Sequence, residues 1–338
     1  MKKLGVIILN WNGLDLLKKF IPTAVEFTVS DSRDLIVADN GSTDASVEWL
    51  EKEFPQVRII ALDRNYGFAE GYNRAIQAAE YEYVVLLNSD VEVTKGWWQP
   101  MLEFMEKHPQ CGALQPKIMA YNDRSRFEYA GAAGGLLDTL GYPYCLGRLF
   151  DVTEADNGQY DLDGVELCWA SGACLMTRRD LYLGLGGLDP RFFAHMEEID
   201  LCCRILNRGY KIYAVPQSRV YHVGGASLAQ GNPKKTYLNF RNNLLLLYKN
   251  LPAAQGRRKL FLRRLADTLA FGMFLLKGDF PNAKAVIKAH NDFRKMKKHY
   301  SPLESKEKIH FPGSDRNAIV ARYLMRKKSL APKGIPKT

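Results

Sequence analysis

The first third of the chain alternates two patterns. Four short apolar runs, GVIILN (5–10), DLIVADN (34–40), VRIIAL (57–62) and EYVVLLN (82–88), carry little polar character until their last residues. Between them lie LDLLKKFIPTAVEF (14–27), DASVEWLEKEF (44–54) and FAEGYNRAIQAAE (68–80), where apolar residues recur at helical spacing. Strands that are apolar throughout and separated by helices predict a parallel sheet covered on both faces. That is an α/β architecture, in which ligands bind beyond the carboxyl ends of the strands.

Further along, the periodicity is mixed. GAAGGLLDTLGYP (131–143) reads as a glycine-rich loop over the pocket, and VELCWASGACLMTRR (165–179) as two strand pieces around Ser171 and Gly172. Residues 191–210 read as a loop followed by a helix beginning near Met196, and 211–225 as two short strands ending at His222. After residue 235 three helical patterns follow, and from about 301 the chain is loose and basic. The expected organisation is one large domain over 1–230, with a first half to about 110 and a second half beyond it. A basic amphipathic helical extension over 231–300 and a tail over 301–338 complete it.

Composition sharpens this division. With 338 residues, 46% of them hydrophobic, there is ample material for a large core. The net charge of +10 is unevenly placed: residues 1–230 carry 22 Lys and Arg against 31 Asp and Glu, and residues 231–338 carry 25 against 6. An acidic body and a strongly basic end face different partners. MKKLGVIILNWNG resembles a secretion signal only briefly, because the apolar run ends at Asn10 with no small-residue cleavage site after it. The six cysteines show no metal-ligand spacing, so free thiols in a reducing compartment are expected.

The ends of the four strands are alike. They read Asn10-Trp11-Asn12-Gly13, Asp39-Asn40-Gly41-Ser42, Asn65-Tyr66-Gly67 and Asn88-Ser89-Asp90. One polar end is a turn; four in register suggest one polar pocket along the sheet edge. No GxGxxG or Walker A pattern is present, which disfavours a dinucleotide or P-loop site. Asp90 is a candidate ligand for a divalent cation, since Mg²⁺ needs few protein carboxylates when phosphates supply the rest. Asp39 suits a hydrogen bond from a base or ribose, or equally an Asx-turn with its own backbone. Glu197, Glu198 and Asp200 cluster at a helix start, where like charges and apolar surroundings can raise a carboxyl pKa towards that of a general base. The dipole of the helix also favours acids there in a purely structural role. His222 is a second candidate metal ligand. Trp169, Ser171 and Gly172 make either an acceptor-binding wall or ordinary core.

Taken together, VIILNWNG, VADNGSTDAS, NYGFAEGYNRAI, VVLLNSDVEV, WASGACLMTRR, GGLDPRFFAHMEEIDLCCRI and VYHVGG resemble the family 2 glycosyltransferases, in particular the rhamnosyltransferase-like branch that builds bacterial surface polysaccharide. The match covers roughly residues 4–225. It implies a GT-A fold, a nucleotide-sugar donor such as a UDP-hexose or dTDP-rhamnose, inversion at the anomeric carbon, and Mg²⁺ or Mn²⁺ as cofactor. It implies donor contacts from Asn10, Asn12, Asp39, Asn65, Gly67, Asn73, Asn88 and Ser89, and acceptor contacts from Trp169, Ser171 and Gly172. Asp90 corresponds to the last Asp of the family's DxD motif and His222 to a histidine completing the metal shell. Glu198 corresponds to the catalytic base, with Glu197 and Asp200 beside it. The DxD motif here reads Asn-Ser-Asp, so one carboxylate is missing, and the base position carries Glu where the family has Asp.

The basic end lies outside that match. LADTLAFGMFLL is too short to span a bilayer and follows Arg257, Arg258, Lys259, Arg263 and Arg264. Basic residues around amphipathic helices suggest an anchor on an anionic membrane surface, suited to an acceptor carried on polyprenyl diphosphate at the inner face of the plasma membrane. The alternative is a helical cap on the catalytic domain. Two rival functions are weaker. Nucleic-acid binding through this end is disfavoured because the basic residues interleave with aliphatic runs rather than exposed aromatics. A nucleotidyltransferase would need a basic phosphate grip after the first strand, where there is no lysine or arginine.

Overall fold

A computed structural model describes residues 2–149, 152–162, 164–224, 231–305 and 307–313. The end of the expected basic tail, residues 314–338, and Gly225 of VYHVGG lie outside the described residues. In chain order the elements are β1 (Lys2–Asn10), α1 (Leu14–Thr28), β2 (Arg33–Asp39), α2 (Ser46–Glu53), β3 (Arg58–Ala61), α3 (Gly67–Gln77), β4 (Tyr81–Leu87), β5 (Val91–Val93) and α4 (Trp98–Lys107). They continue with β6 (Cys111–Ala120), β7 (Gly135–Leu137), β8 (Pro143–Cys145), β9 (Arg148–Leu149), β10 (Val152–Thr153), β11 (Val165–Leu167), β12 (Cys174–Arg178), α5 (Arg179–Gly184), α6 (Glu197–Asn207) and β13 (Lys211–His222). The helices α7 (Pro233–Asn250), α8 (Ala253–Leu276) and α9 (Phe280–Met296) follow.

The central sheet runs β11-β13-β6-β12-β4-β1-β2-β3, with β5 added against β13. The strands β3, β2, β1 and β4 are parallel, as the alternating pattern predicts. Their side chains divide between two cores. Ile7, Ile36, Val84 and Leu86 pack under α3, while Val6, Ile8, Leu35, Val37, Val85 and Leu87 pack under α1 and α4. Both faces are buried, which is why these strands show no polar alternation. All six cysteines are buried and free.

The central sheet is mostly parallel, as expected, and becomes mixed where β12 lies antiparallel between β4 and β6. The structure corrects two expectations. Residues 211–222 form one strand rather than two; its pairing with β6 shifts between Val215 and Arg219, around Pro216, which has no N–H to give a ladder. The glycine-rich segment 131–143 is not a loop over the pocket. It contains β7 and is mostly buried. Gly134 and Gly135 are there because a Cβ on either would strike the side chain of Leu167 or Trp169. Close packing, not mobility, is what those glycines provide.

Candidate active site

Strand register brings the polar ends together. Asn10 pairs with Asp39 across β1 and β2, so both side chains emerge at the same carboxyl edge. The Asn10 amide donates to Asp39 Oδ1 at 3.0 Å and to Ser42 Oγ at 3.2 Å, and the Ser42 N–H donates to Asp39 Oδ2 at 2.9 Å. Asp39 therefore does make the turn contact to its own loop, and keeps lone pairs for a ligand. Asn10 Oδ1 is buried with no partner. Asn12, at φ +49°, accepts from the N–H groups of Thr43 and Asp44 and shapes the loop above. Asn40 was not singled out from the sequence. Its amide donates to Asn65 Oδ1 and to the Gly67 carbonyl, and it accepts from the Tyr66 N–H, so it fixes the whole 65–67 turn. Asn88 and Ser89 are half-buried at the end of β4.

Asn73 departs from the expected donor contact. Its amide donates to the Leu188 carbonyl at 2.8 Å, and its oxygen accepts from the Leu188 N–H and the Tyr182 hydroxyl. It fastens α3 to the 182–188 turn.

Asp90 and His222 meet through β5. That strand pairs antiparallel with β13, setting Val91 opposite His222. His222 Nε2 lies 3.0 Å from Asp90 Oδ1, and both side chains are buried. On the other side, Nδ1 lies 3.3 Å from Oε2 of Glu128, a buried carboxylate that no motif announced. Gly224, at φ +69°, makes room: a Cβ there would come within 2.6 Å of a Glu128 oxygen. Burial alone would lower the His222 pKa, but the two carboxylates outweigh it and raise it to about 10. For Asp90, burial pushes the carboxyl up, and the His222 contact more than offsets this and holds it below the ordinary range. A carboxylate–imidazole pair with an outer carboxylate on the second ring nitrogen fits a divalent cation that draws its other ligands from a diphosphate. Among the described residues no cluster of three or more such side chains forms a closed metal cage.

The acidic cluster separates into distinct roles. Asp200 is fully buried and saturated: Arg204 and Lys249 donate to one oxygen, at 2.8 and 2.9 Å, and Asn250 to the other, at 2.8 Å. It is a structural anchor and leaves the list of candidate bases. Glu198 and Glu197 differ from it, since each has a buried Oε2 with no partner. Burial raises the Glu198 pKa to about 7. Burial, and then the neighbouring Glu198, push Glu197 well above the usual carboxylate range. His195 joins them: its Nε2 is buried without a partner, and burial lowers the imidazole to about 4, so it is neutral at pH 7. Buried polar atoms of this kind take their partners from water, an ion or a ligand.

The loop before α6 is strained. Phe193, His195 and Met196 have φ of 68°, 67° and 77°, although none is glycine. Each such residue costs of order 1 kcal/mol or more. Carbonyls of this loop are held from α7. The Asn242 amide donates to the oxygens of Phe192, Ala194 and His195 at 2.9, 2.9 and 2.7 Å, and Arg241 donates to Phe192 at 2.8 Å. The sequence signal was the polar triplet Arg241-Asn242-Asn243 inside an apolar helix, all of it buried. The first helix of the extension thus shapes the loop that leads into α6.

The remaining candidates divide. Gly172 lies against Glu198 and Phe68, where a Cβ would sit 3.7 Å from each. The next residue, Ala173, accepts from the Asn88 N–H at 3.0 Å, which ties this segment to the end of β4. Ser171 is spent internally, its hydroxyl donating to the Ala130 carbonyl and its N–H to Gln115. Trp169 is core: it is buried beneath Gly135 and its indole N–H donates to the Leu136 carbonyl, so it offers no face to a sugar.

One stability consequence follows from the acidic pair. Carboxyls whose folded pKa lies above the ordinary 4.5 stabilise the fold in their protonated form. The Glu198 contribution is complete below about pH 4.5 and is lost as pH rises through about 7, and the Glu197 contribution is likewise lost as pH rises above the ordinary carboxylate range. Glu197→Gln should therefore raise Tm at pH 8, by an amount corresponding to about 1–3 kcal/mol, and change it little at pH 5. Thermal denaturation at the two pH values checks this; an equal change at both would contradict the burial of a charge at Glu197.

Known proteins resemble this chain in sequence and in fold. Residues 5–154 match the family described as Glycosyl transferase family 2. The N-acetylglucosaminyl-diphospho-decaprenol L-rhamnosyltransferase of Mycobacterium tuberculosis is 28% identical over 240 residues, covering 65% of this chain and 75% of that protein. S. aureus TarS 1-349 in complex with UDP-GlcNAc superposes with a TM-score of 0.57 at 18% identity, over 86% of this chain and 80% of that one. GalNAc-T7 with UDP, GalNAc and Mn²⁺ gives 0.55 at 18% identity, over 72% of this chain and 47% of that one. The fold is that of the GT-A glycosyltransferases, and residues 5–154 carry the match to the family 2 glycosyltransferases, with a rhamnosyltransferase among the proteins the chain resembles.

Proposed function

We propose that this glycosyltransferase moves a sugar, with inversion, from a nucleoside diphosphate donor to a hydroxyl of a lipid-linked glycan in cell-surface polysaccharide synthesis. The donor is a UDP-hexose or dTDP-rhamnose, and the acceptor is carried on polyprenyl diphosphate at the cytoplasmic face of the membrane. The relative that acts on a diphospho-decaprenol acceptor supports this choice. The observation that carries the reading is the pairing of two features: a protonatable carboxylate with an unpartnered oxygen at Glu198, and the Asp90–His222 pair.

The chemistry is one displacement. Glu198 in its carboxylate form accepts the proton of the acceptor hydroxyl. That oxygen forms a bond to the anomeric carbon on the face opposite the diphosphate. The bond from that carbon to the diphosphate oxygen breaks, and its electron pair leaves with the nucleoside diphosphate. Asp90 and His222 would hold Mg²⁺ or Mn²⁺, whose chemistry is to neutralise charge on the leaving diphosphate. Glu128 orients the His222 ring for that task. Asp39 and Asn10 offer the carboxylate and the free amide oxygen that a base or ribose can meet. One carboxylate base suffices for inversion, which fits a single acidic site.

The test is thermal stability against UDP, dTDP, GDP and CMP, each with and without Mn²⁺, on the wild type and on Asp90→Ala. A Tm increase with one nucleotide, dependent on Mn²⁺ and lost in Asp90→Ala, is expected; at 100 times Kd it corresponds to about 2.7 kcal/mol. A nucleotide shift that ignores both Mn²⁺ and Asp90 would remove the metal assignment.

A further inference from the structure

The helix α8 faces the wrong way for a protein surrounded by water. Its inward side carries Gly256, Arg263 and Asp267, all buried. Arg263 donates to Asp267 at 3.1 Å, and Asp267 also accepts from the Tyr142 hydroxyl and meets His290, both at 3.0 Å. Its outward side carries Phe261, Leu265, Leu269, Met273 and Leu276, with Leu269 72% and Leu276 91% exposed. At about 100° per residue these five fall within one arc of about 120°. A helix packed on a protein and washed by water has the opposite arrangement, polar outside and apolar inside. The apolar surface continues onto α9 through Phe280 and Ile287.

Beside this ridge, α8 and α9 enclose an open groove of about 280 Å³. Arg264 and Arg294 line it with Thr268, Phe271, Ile287 and His290. Both arginines are exposed, and among the described residues neither guanidinium has an ion-pair partner. Arg257, Arg258 and Lys277 are exposed towards the two ends of the same helix. An apolar ridge flanked by unpaired cations is complementary to a surface that is hydrocarbon inside and anionic at its rim. Charge complementarity extends beyond the helix, since residues 231–338 carry 25 Lys and Arg against 6 Asp and Glu. No helix among the described residues is long and apolar enough to cross a membrane.

We propose that α8 lies flat in the interface of an anionic phospholipid bilayer, its Phe261–Leu276 ridge among the acyl chains and Arg264 and Arg294 on lipid phosphates in the groove. This deepens the reading of a lipid-linked acceptor, because a helix so placed sets the catalytic domain at headgroup level, where the acceptor diphosphate lies. The inward Arg263–Asp267 pair has a matching use: it fixes the rotation of α8 about its axis, so that the ridge and not the polar face points outward.

The experiment is co-sedimentation of the full chain with vesicles of phosphatidylcholine alone and with phosphatidylglycerol added, in the absence of donor and acceptor. Wild type should bind the anionic vesicles at least tenfold more tightly than the neutral ones. Leu269→Ser/Leu276→Ser and Arg264→Ser/Arg294→Ser should each weaken that binding about tenfold or more. All four positions are exposed, so Tm should not change, and a Tm measurement confirms that the variants fold. Wild type that stays in the supernatant, or variants that bind undiminished, would overturn the proposal. So would sedimentation velocity showing a dimer that the leucine variant converts to monomer, since the ridge would then be covered by a second copy of the chain. The nucleotide-dependent thermal shift is read separately on the same variants. Its loss in the wild type would count against the donor site, whereas loss of vesicle binding with the shift intact counts against the α8 surface alone.

Discussion

Glu198→Gln should lower kcat for sugar transfer by about 10²–10⁴-fold, the range spanned by removal of a general base. The amide keeps the size of the carboxyl and removes only its capacity to take a proton. Glu198 is one of two carboxylates in the first turn of α6 whose Oε2 is buried and unpartnered, and it lies against Gly172 beside the end of β4. The thermal shift with nucleotide and Mn²⁺ should persist, because Asp90, His222 and Asp39 are untouched. In the wild type, kcat/KM should fall tenfold per unit as pH drops below about 7, where burial places the Glu198 pKa. That acid limb should be absent from the residual activity of the variant. Steady-state release of nucleoside diphosphate measured from pH 5 to 9 gives both results. A Glu198→Gln enzyme with wild-type kcat would shift the role to Glu197, whose Oε2 is equally free.

The contrast with Asp200 shows what the sequence holds and what it does not. All three acids fall in one helical turn, and apart from the resemblance that points to Glu198 the local pattern of HMEEIDLC does not separate them. What distinguishes them is the partners brought from α7: Lys249 and Asn250 reach Asp200 and leave Glu197 and Glu198 alone. Long-range pairing decides the chemistry, and local pattern cannot report it. The same holds for Asn73, whose amide is consumed by Leu188, and for Trp169, which packs on Gly135 more than thirty residues away. Where both determinants are local, the reading succeeds. The strands β1 to β4 are apolar because both faces are covered, and their polar ends meet because parallel register places Asn10 beside Asp39. Glu128 escaped notice because it lies in no repeated pattern. It reaches His222 only through the return of the chain past Ile118, to which its N–H donates.

Asn242→Ala should destabilise the fold by about 1–3 kcal/mol, since the carbonyls of Ala194 and His195 would lose their side-chain donor in a partly buried setting. Phe192 would keep its bond from Arg241. The loop these groups belong to stores strain at Phe193, His195 and Met196, and it delivers the chain into α6 with Glu197 and Glu198 as its first residues. Without the amide the loop is free to relax towards ordinary φ values, and the carboxylate would drift from the attacking hydroxyl. A misplacement of about 1 Å is enough to cost about 10²-fold in rate. The expected result is a drop in kcat of at least tenfold at temperatures well below the lowered Tm, with donor affinity unchanged. A variant that is merely less stable would keep its kcat at low temperature, and that outcome would reduce Asn242 to a packing residue. The prediction also bears on where the catalytic unit ends. Asn242 belongs to the first helix of the C-terminal extension, so a truncation at residue 230 should lose transfer activity even if the sheet still folds. A division into a catalytic domain and an appended helical extension describes the charge distribution well, but the side chain that shapes the base loop lies across that boundary.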